Sequence, residues 1–582
     1  MCKAETLWSF IAKKSYIAWI AALLVIIQAI LTIIEVIVIE RFIDGLSDFQ
    51  WKRLIFFAII LSGIYAFYYL QNPLLDYLKQ KLSLQIRIHL EDSIIEKMAR
   101  ISVAALEDVE NQSCIARLKE KPEKRYANGF FSILQIIGGI VGMSGIFSLL
   151  FHHVPFFFLV ILLLFGLMVI VFRLTGKMKI ALYQTRQEIG RRGDYLSSVL
   201  FERNLAQEKK LFGYTHYIQK LYKEETIQSS KQMLISIGVY HIILWVYDAI
   251  TYLFSASAYL LFLIPLYKGE MEIGLYIAMI PALTKLGAFF VAVGSKYWPA
   301  YQEYRACFAD FIQFYALPEQ DYIEKKEITF HIIKGENIVF RYPGQEKPIL
   351  NGLNFIFQVG KNYALVGENG CGKTTFIKLL MGFYQPESGT ITIDNKDIKE
   401  LTFAERQSLF SAVFQDFNHY TYTIKENIFL SNLKEKTAIT EKMQQAAKEA
   451  ELDSWISSYP YAYNTQLGTL EENGIELSGG QWQRLSIARM LYRKANIYIW
   501  DEPTAAMDPL AESRLYTNFL QKRSKQCANI FVTHRLGAAV CADEIYVLEN
   551  GKLVEQGSHI QLMQKSDGLY RQMFQAQKGM YE

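Results

Sequence analysis

The chain has 582 residues, 51% of them apolar, and a mean hydropathy of +0.11, too long for one domain and too apolar for an ordinary water-soluble enzyme. Its 61 basic and 57 acidic residues leave a net charge of +4 without any basic block, which excludes nucleic acid as the main partner. The six cysteines, Cys2, Cys114, Cys307, Cys371, Cys527 and Cys541, form no CxxC pair and no regular spacing, which excludes a disulfide scaffold or zinc site and suits free thiols in a reducing compartment.

In chain order, six apolar stretches come first, at about 16–39, 54–75, 130–151, 155–174, 234–264 and 273–293. Each is long enough to cross a hydrocarbon core of roughly 30 Å, which takes about 20 helical residues. Between Pro155 and Phe172 there is no charge at all, a pattern foreign to a helix of a water-soluble core. The first stretch is too long for a signal peptide, carries Glu35 and lacks a small-residue cleavage site, so it reads as a retained helix. On the third stretch Gly138, Gly142 and Gly145 offer a small-residue face for close helix approach.

About 50 residues separate the second and third stretches and about 60 the fourth and fifth, both segments charged, poor in glycine and helical in pattern. They carry about ten and about twelve Lys and Arg residues, against about four in the three short hairpins. By the positive-inside rule the long segments and both termini face the cytoplasm, in a multi-pass protein of the cytoplasmic membrane. The character changes at Leu317-Pro318-Glu319, beyond which short apolar clusters alternate with charged, Gly-containing turns. The expected organisation is an all-α six-helix transmembrane domain at 1–317, a linker at 318–327 and an α/β phosphate-binding-loop domain at 328–582.

In that second part the apolar strand Tyr363-Ala364-Leu365-Val366 runs into Gly367-Glu368-Asn369-Gly370-Cys371-Gly372-Lys373-Thr374-Thr375 and then into a helical run. This is a complete phosphate-binding loop in its strand–loop–helix context. Its glycines let backbone N–H groups close around phosphate oxygens, Lys373 adds a point charge, and Thr374 offers a hydroxyl to Mg²⁺. Further on, Ile497-Tyr498-Ile499-Trp500 ends in Asp501-Glu502. Asp501 is placed to hold the Mg²⁺ shell and Glu502 to polarise an attacking water.

Between these elements lies Leu477-Ser478-Gly479-Gly480-Gln481, and here the chain resembles the ATP-binding-cassette family. The resemblance covers the whole second part in the family's order: Tyr342, the phosphate loop, Gln415, the Leu477–Gln481 signature, Asp501-Glu502, Ala505-Ala506-Met507-Asp508 and His534. It implies that Tyr342 stacks on adenine, that Gly367, Asn369, Gly370, Cys371, Gly372, Lys373, Thr374 and Thr375 hold the phosphates, and that Gln415 reaches Mg²⁺ and the water. It also implies that His534 contacts the γ-phosphate, that Asp508 belongs to the nucleotide site, and that Ser478, Gly479, Gly480 and Gln481 close over nucleotide held by another subunit. The cofactors are then ATP and Mg²⁺, and one cassette with six spans resembles a half-transporter that works as a homodimer or with a second half-transporter.

Membrane part first and cassette second resembles the family's exporters, as do Glu472-Asn473-Gly474 and the segments 106–111 and 202–213 in the long loops. The exporter's usual glycine before that motif is replaced by Glu471. The implied function is ATP-driven export by alternating access, with a peptide or an amphiphilic, lipid-like small molecule as cargo. A siderophore-type importer with the exporter fold and an ATP-gated regulatory membrane subunit stay open. Only about 15 residues precede the first span, so the cysteine-protease domain of some peptide exporters is expected to be absent. Glu35, Asp248 and Lys285 stand inside apolar spans, where each charge costs roughly 2.5–3.5 kcal/mol. Either Asp248 and Lys285 pair, or they line a substrate cavity with Tyr240, His241, Trp245, Tyr247 and Tyr252.

Overall fold

The computed structural model describes residues 15–47, 50–119, 121–153, 170, 192–202, 205–269, 271–320, 328–433, 439–469, 473–502, 514–515 and 527–578. The fourth apolar stretch, residue 170 apart, lies outside the described residues, as do Glu471, Glu472 and the Ala505–Asp508 motif. The chain packs as two units, one running up to Met98 and resuming at Glu110–Leu317, the other made of Ala99–Val109 with Pro318–Glu582.

Among the described residues, helices up to residue 315 include α1 (Tyr16–Ser47), α2 (Trp51–Arg100), α3 (Val103–Glu107), α4 (Val109–Lys119), α5 (Pro122–His153), α6 (Ala206–Phe212), α7 (Thr215–Tyr267), α8 (Ile273–Ala292) and α9 (Trp298–Tyr315). A π-helical turn at Val293–Tyr297 joins the last two. Among the described residues five helical runs are long and apolar enough to cross a membrane, on α1, α2, α5, α7 and the continuous α8–α9. With 50 and 53 residues, α2 and α7 are each about 75–80 Å long at 1.5 Å per residue. More than half of each extends beyond a hydrocarbon core, so the charged residues 76–100 and 215–233 are aqueous continuations of spanning helices.

Helix α1 packs on α5 through small residues. A methyl group on Gly138 would collide with Val25 and one on Gly145 with Ile33, whereas at Gly142 it would meet Ala29 at 3.5 Å. Val25, Ala29 and Ile33 recur every four residues, so one ridge of α1 lies along the glycine face of α5. Outward-facing side chains such as Trp19 and Ile59 are each 67% exposed, an apolar outer wall suited to lipid rather than water.

Among the described residues the second unit holds two sheets. Strands β1 (Ile332–Phe340), β2 (Leu350–Gln358), β4 (Ser388–Ile393) and β5 (Lys396–Asp397) form an antiparallel sheet in the order β2-β1-β4-β5. Strands β3 (Asn362–Gly367), β6 (Phe410–Val413), β7 (Ile497–Asp501), β8 (Ala528–Val532), β9 (Glu544–Glu549) and β10 (Lys552–Gly557) form a second sheet in the order β10-β9-β3-β8-β7-β6. All of its neighbours run parallel except the β9–β10 hairpin. Every residue of β3, β7 and β8 is buried, as expected for parallel strands covered on both faces. The unit also contains helices α10 (Lys373–Leu380), α11 (Glu441–Glu449), α12 (Asp453–Ser458) and α13 (Gly479–Tyr492). Met443, Ile456, Trp482, Leu485 and Tyr492 bury α11, α12 and α13 in one apolar cluster with Trp500 of β7.

The segment Ala99–Val109 joins this second unit although the sequence places it within the first. Ile101 bridges Glu319, Ser102 caps α3 by accepting from the Ala105 N–H at 3.3 Å, and Ala104 packs on the apolar core beneath the antiparallel sheet. A five-residue helix has no stability of its own, so it takes the apolar surface that its neighbours offer.

Candidate functional site

Parallel strands bring the candidate nucleotide residues to one sheet edge. The phosphate loop follows β3, Gln415 follows β6, Asp501 ends β7 and His534 follows β8, so all stand at the carboxyl ends of adjacent parallel strands, where α/β sheets bind ligands. In the loop Gly370 and Gly372 adopt φ of 81° and 106°, conformations that side chains resist. A methyl on Gly372 would also press on Leu350 at 2.8 Å. Lys373 is buried and donates to the Gly367 and Glu368 carbonyls at 2.8 Å each. Its ammonium stands 3.9 Å from the Cys371 sulfur, yet burial outweighs that charge and pushes the Cys371 thiol up. Asn369 lies on the exposed crest of the loop and Thr375 is buried at the start of α10.

Asp501 is buried, and burial with the nearby Glu502 charge raises its carboxyl to about 6 against the pull of Lys373 and of a hydrogen bond from Thr374. The Asp416 charge also raises it, a neighbour that no motif marks in the sequence. Glu502 adopts a φ of 48°, a strained value for a residue with a side chain. It lies 3.0 Å from Nδ1 of His534, with its side chain 13% exposed against 50% for the histidine. Gln415 is exposed on the same edge. Thr374 and Asp501 supply oxygen donors of the kind Mg²⁺ takes, and a buried carboxylate held next to a lysine and a threonine hydroxyl fits such an ion.

Tyr342 follows β1, places its hydroxyl 3.2 Å from that of Thr375 and meets Phe340 and Tyr384 edge to face at 5.0 and 5.2 Å. Ahead of them Glu107 of α3 accepts from Lys378 at 3.0 Å and from the Tyr384 hydroxyl. Burial raises the Glu107 carboxyl, but these two donors outweigh it and hold it below the usual range. Some 270 residues separate Glu107 from Lys378, so no local pattern could have announced the pair.

The signature opens α13. Ser478 and Gln481 close a reciprocal capping box, with the Gln481 N–H donating to the Ser478 hydroxyl at 3.3 Å and the Ser478 N–H to the Gln481 side chain at 2.8 Å. Ser478 and Gly479 are exposed and Gly480 is half-buried. The Gly479 and Gly480 amides are among the first N–H groups of a helix, which have no intrahelical acceptor. Trp482 is buried and stacks on His419 with ring centroids 4.5 Å apart and planes 3° apart, tying the segment after Gln415 to the signature helix. Asp508 lies outside the described residues.

In the membrane unit the structure gives Lys285 a partner other than the expected Asp248. Its ammonium meets the Glu35 carboxylate, which also accepts from the Tyr68 hydroxyl at 3.0 Å, and it stands 4.5 Å over the Tyr68 ring. Asp248 is half-buried on α7, with Oδ1 enclosed and without a hydrogen-bond partner. The expected aromatic cavity set is not gathered on one wall either. Tyr240 and Tyr247 are buried while His241, Trp245 and Tyr252 are exposed, because at 100° per residue the positions 240 and 247 share one face and 241, 245 and 252 another. Of the expected cavity residues Lys285 alone lines a cavity of about 330 Å³, beside Gln28, Gln71, Asn72 and Gln135. No local spacing marks those four amides in the sequence.

Residues 18–284 match the family model described as ABC transporter transmembrane region and residues 350–505 the one described as ABC transporter. The chain is 28% identical over 569 residues to the subtilin transport ATP-binding protein SpaT of Bacillus subtilis, covering 95% of this chain and 91% of that one. It is 33% identical over 317 residues to the nisin transport ATP-binding protein NisT of Lactococcus lactis subsp. lactis, covering 53% and 52%. With a mitochondrial iron–sulfur clusters transporter of Chaetomium globosum it shares 37% identity over 247 residues, covering 42% and 40%. A bacterial Atm1-family ABC exporter with ATP bound has the same fold, with a TM-score of 0.82, 22% identity and coverage of 96% and 98%. With several spanning helices and an ATP-binding domain fused in one polypeptide, this multi-pass membrane chain belongs to the ABC transporter family.

Proposed function

We propose that the chain is an ATP-hydrolysing exporter that works as a homodimer in the cytoplasmic membrane, with its termini and ATP-binding domain on the cytoplasmic side. The observation that carries this reading is the sheet edge on which Glu502, His534, Asp501, Gln415 and the phosphate loop converge, on the same chain as the spanning helices. The domain limits 1–317 and 328–582 divide the work between transport and hydrolysis.

Lys373 and the loop amides bind the phosphates, Tyr342 offers its ring to adenine, and Thr374, Asp501 and Gln415 are the oxygen ligands for Mg²⁺. Bound Mg²⁺ supplies charge neutralisation on the phosphate oxygens. Glu502 accepts a proton from the attacking water, and His534, 3.0 Å away, holds that carboxylate in place. The exposed N-terminus of α13, whose amides are aligned with the helix dipole, suits an anion presented by a second copy. That complementarity supports dimerisation, since one chain supplies half of each site. Closing the two cassettes then turns the membrane cavity outward, and hydrolysis resets it.

The relatives named for subtilin and nisin transport support a peptide cargo. The test is ATP turnover and mass of the chain purified alone in lipid, beside Glu502→Gln, with ATP-dependent uptake of a peptide into inverted vesicles. Steady turnover by a dimer, with uptake lost in the variant, supports the reading; a silent monomer refutes it.

A further inference from the structure

We infer that the membrane unit holds a binding site for a free carboxylate of a peptide-like cargo, with Lys285 as its anchor, in the cavity of about 330 Å³ bounded by α1, α2, α5 and α8. The inference rests on the export reading above and adds the chemistry that the cargo presents. The volume falls within the roughly 300–1,000 Å³ of small-ligand sites.

The ion pair is asymmetric. The Glu35 side chain is 2% exposed, whereas that of Lys285 is 34% exposed and forms part of the cavity wall. A ligand in the cavity therefore meets the cation and not the anion. The buried carboxylate fixes the ammonium, as does the Tyr68 ring at 4.5 Å, and this removes the cost that an unpaired charge would carry at this depth. An ammonium has three N–H donors; one serves Glu35, and a ligand carboxylate takes another in a charge-assisted bond.

The rest of the wall suits a peptide end. Gln71 donates to Gln28 at 2.9 Å and to the Leu24 carbonyl at 3.2 Å, which orients one amide pair, while Asn72 and Gln135 bring further side-chain amides to the same space. Carboxamides both donate and accept, matching the alternating N–H and C=O groups of a main chain. Val25, Met143 and Phe289 supply apolar wall between them. A site built for a fatty chain would not spend four amides and a lysine inside a membrane.

The experiment uses the full-length chain in lipid nanodiscs and an N-terminally dye-labelled pentapeptide of leucine and glycine, made as the free acid and as the C-terminal amide, read by fluorescence anisotropy. The acid is expected to bind at least about tenfold more tightly. That preference is expected to vanish in the Glu35→Gln/Lys285→Gln double variant, which leaves no uncompensated ion and whose elution and melting report its integrity. Equal affinities for acid and amide, or tighter binding of the amide, overturn the inference while the export reading stands. Absence of saturable binding by either peptide, with ATP turnover intact, also overturns it. Loss of ATP-dependent uptake for every cargo would remove the export reading itself.

Discussion

The carboxylate of Glu107 accepts a hydrogen bond from the Lys378 ammonium at 3.0 Å, and that ammonium stands over the rings of Tyr342 and Tyr384 at 6.0 and 5.9 Å. A five-residue helix from the long loop after α2 thus touches the aromatic cluster proposed to receive adenine. Glu107 is held below the usual carboxylate range in the folded protein, so its contribution is complete above about pH 4.5 and is lost as the pH falls through the depressed value. Both side chains are partly exposed, and Glu107→Ala is expected to cost under about 1 kcal/mol. Melting curves of the two proteins should stay a fixed distance apart above about pH 5 and converge in acid; a gap that widens in acid contradicts the ion pair.

Glu502→Gln removes the carboxylate at the end of β7 and should lower ATP turnover by about 10²–10⁴-fold, the usual worth of a general base. Because Lys373 and the loop remain, binding of a fluorescent ATP analogue should persist. His534→Ala is expected to lower turnover as well, since it takes away the group 3.0 Å from Glu502. Turnover within twofold of the parent in either variant would remove that residue from the mechanism.

Among the described cysteines only Cys541 is exposed, while Cys114, Cys307, Cys371 and Cys527 are buried. The Cys371 thiol is also pushed up by burial, which lowers its thiolate fraction near neutral pH. Maleimide at about pH 7 should therefore label Cys541 well before Cys371, as read by peptide mapping. Raising the pH should speed Cys371, and ATP should slow it, because its backbone forms the phosphate loop.

Gly138 and Gly145 lie where a methyl group would collide with Val25 and Ile33, whereas Gly142 leaves 3.5 Å to Ala29. Replacing either of the first two by alanine forces α1 and α5 apart, at about 1–3 kcal/mol. Gly142→Ala should fall well below that. Thermal melts of the three variants in lipid provide the comparison, and three equal shifts would contradict the close approach.

Much of the candidate nucleotide site was legible in the sequence because its motifs are local. The loop from Gly367 to Thr375 needs glycines, a lysine and a threonine at consecutive positions, and the signature needs a capping serine directly before two glycines, so neighbours along the chain are neighbours in space. Five of the six expected spans were legible for a similar reason, since the thickness of a bilayer translates directly into a length of apolar helix. Asp416 beside Asp501 was not legible, since it depends on β6 pairing with β7.

The sequence by itself determined the order of the two parts, the fold of each and the place of the candidate phosphate loop, because periodicity and contiguous motifs carry that information. Only the tertiary structure decided that Lys285 pairs with Glu35 rather than with Asp248. The two partners stand 250 positions apart, and which buried charges meet is fixed by how α1 and α8 are rotated against each other. That rotation comes from packing, including the glycine face of α5 that receives α1 and the close approach of Gly274 of α8 to α1, and no single helix encodes it. The same holds for α3, whose five residues acquire a position only from the apolar core that Ala104 enters.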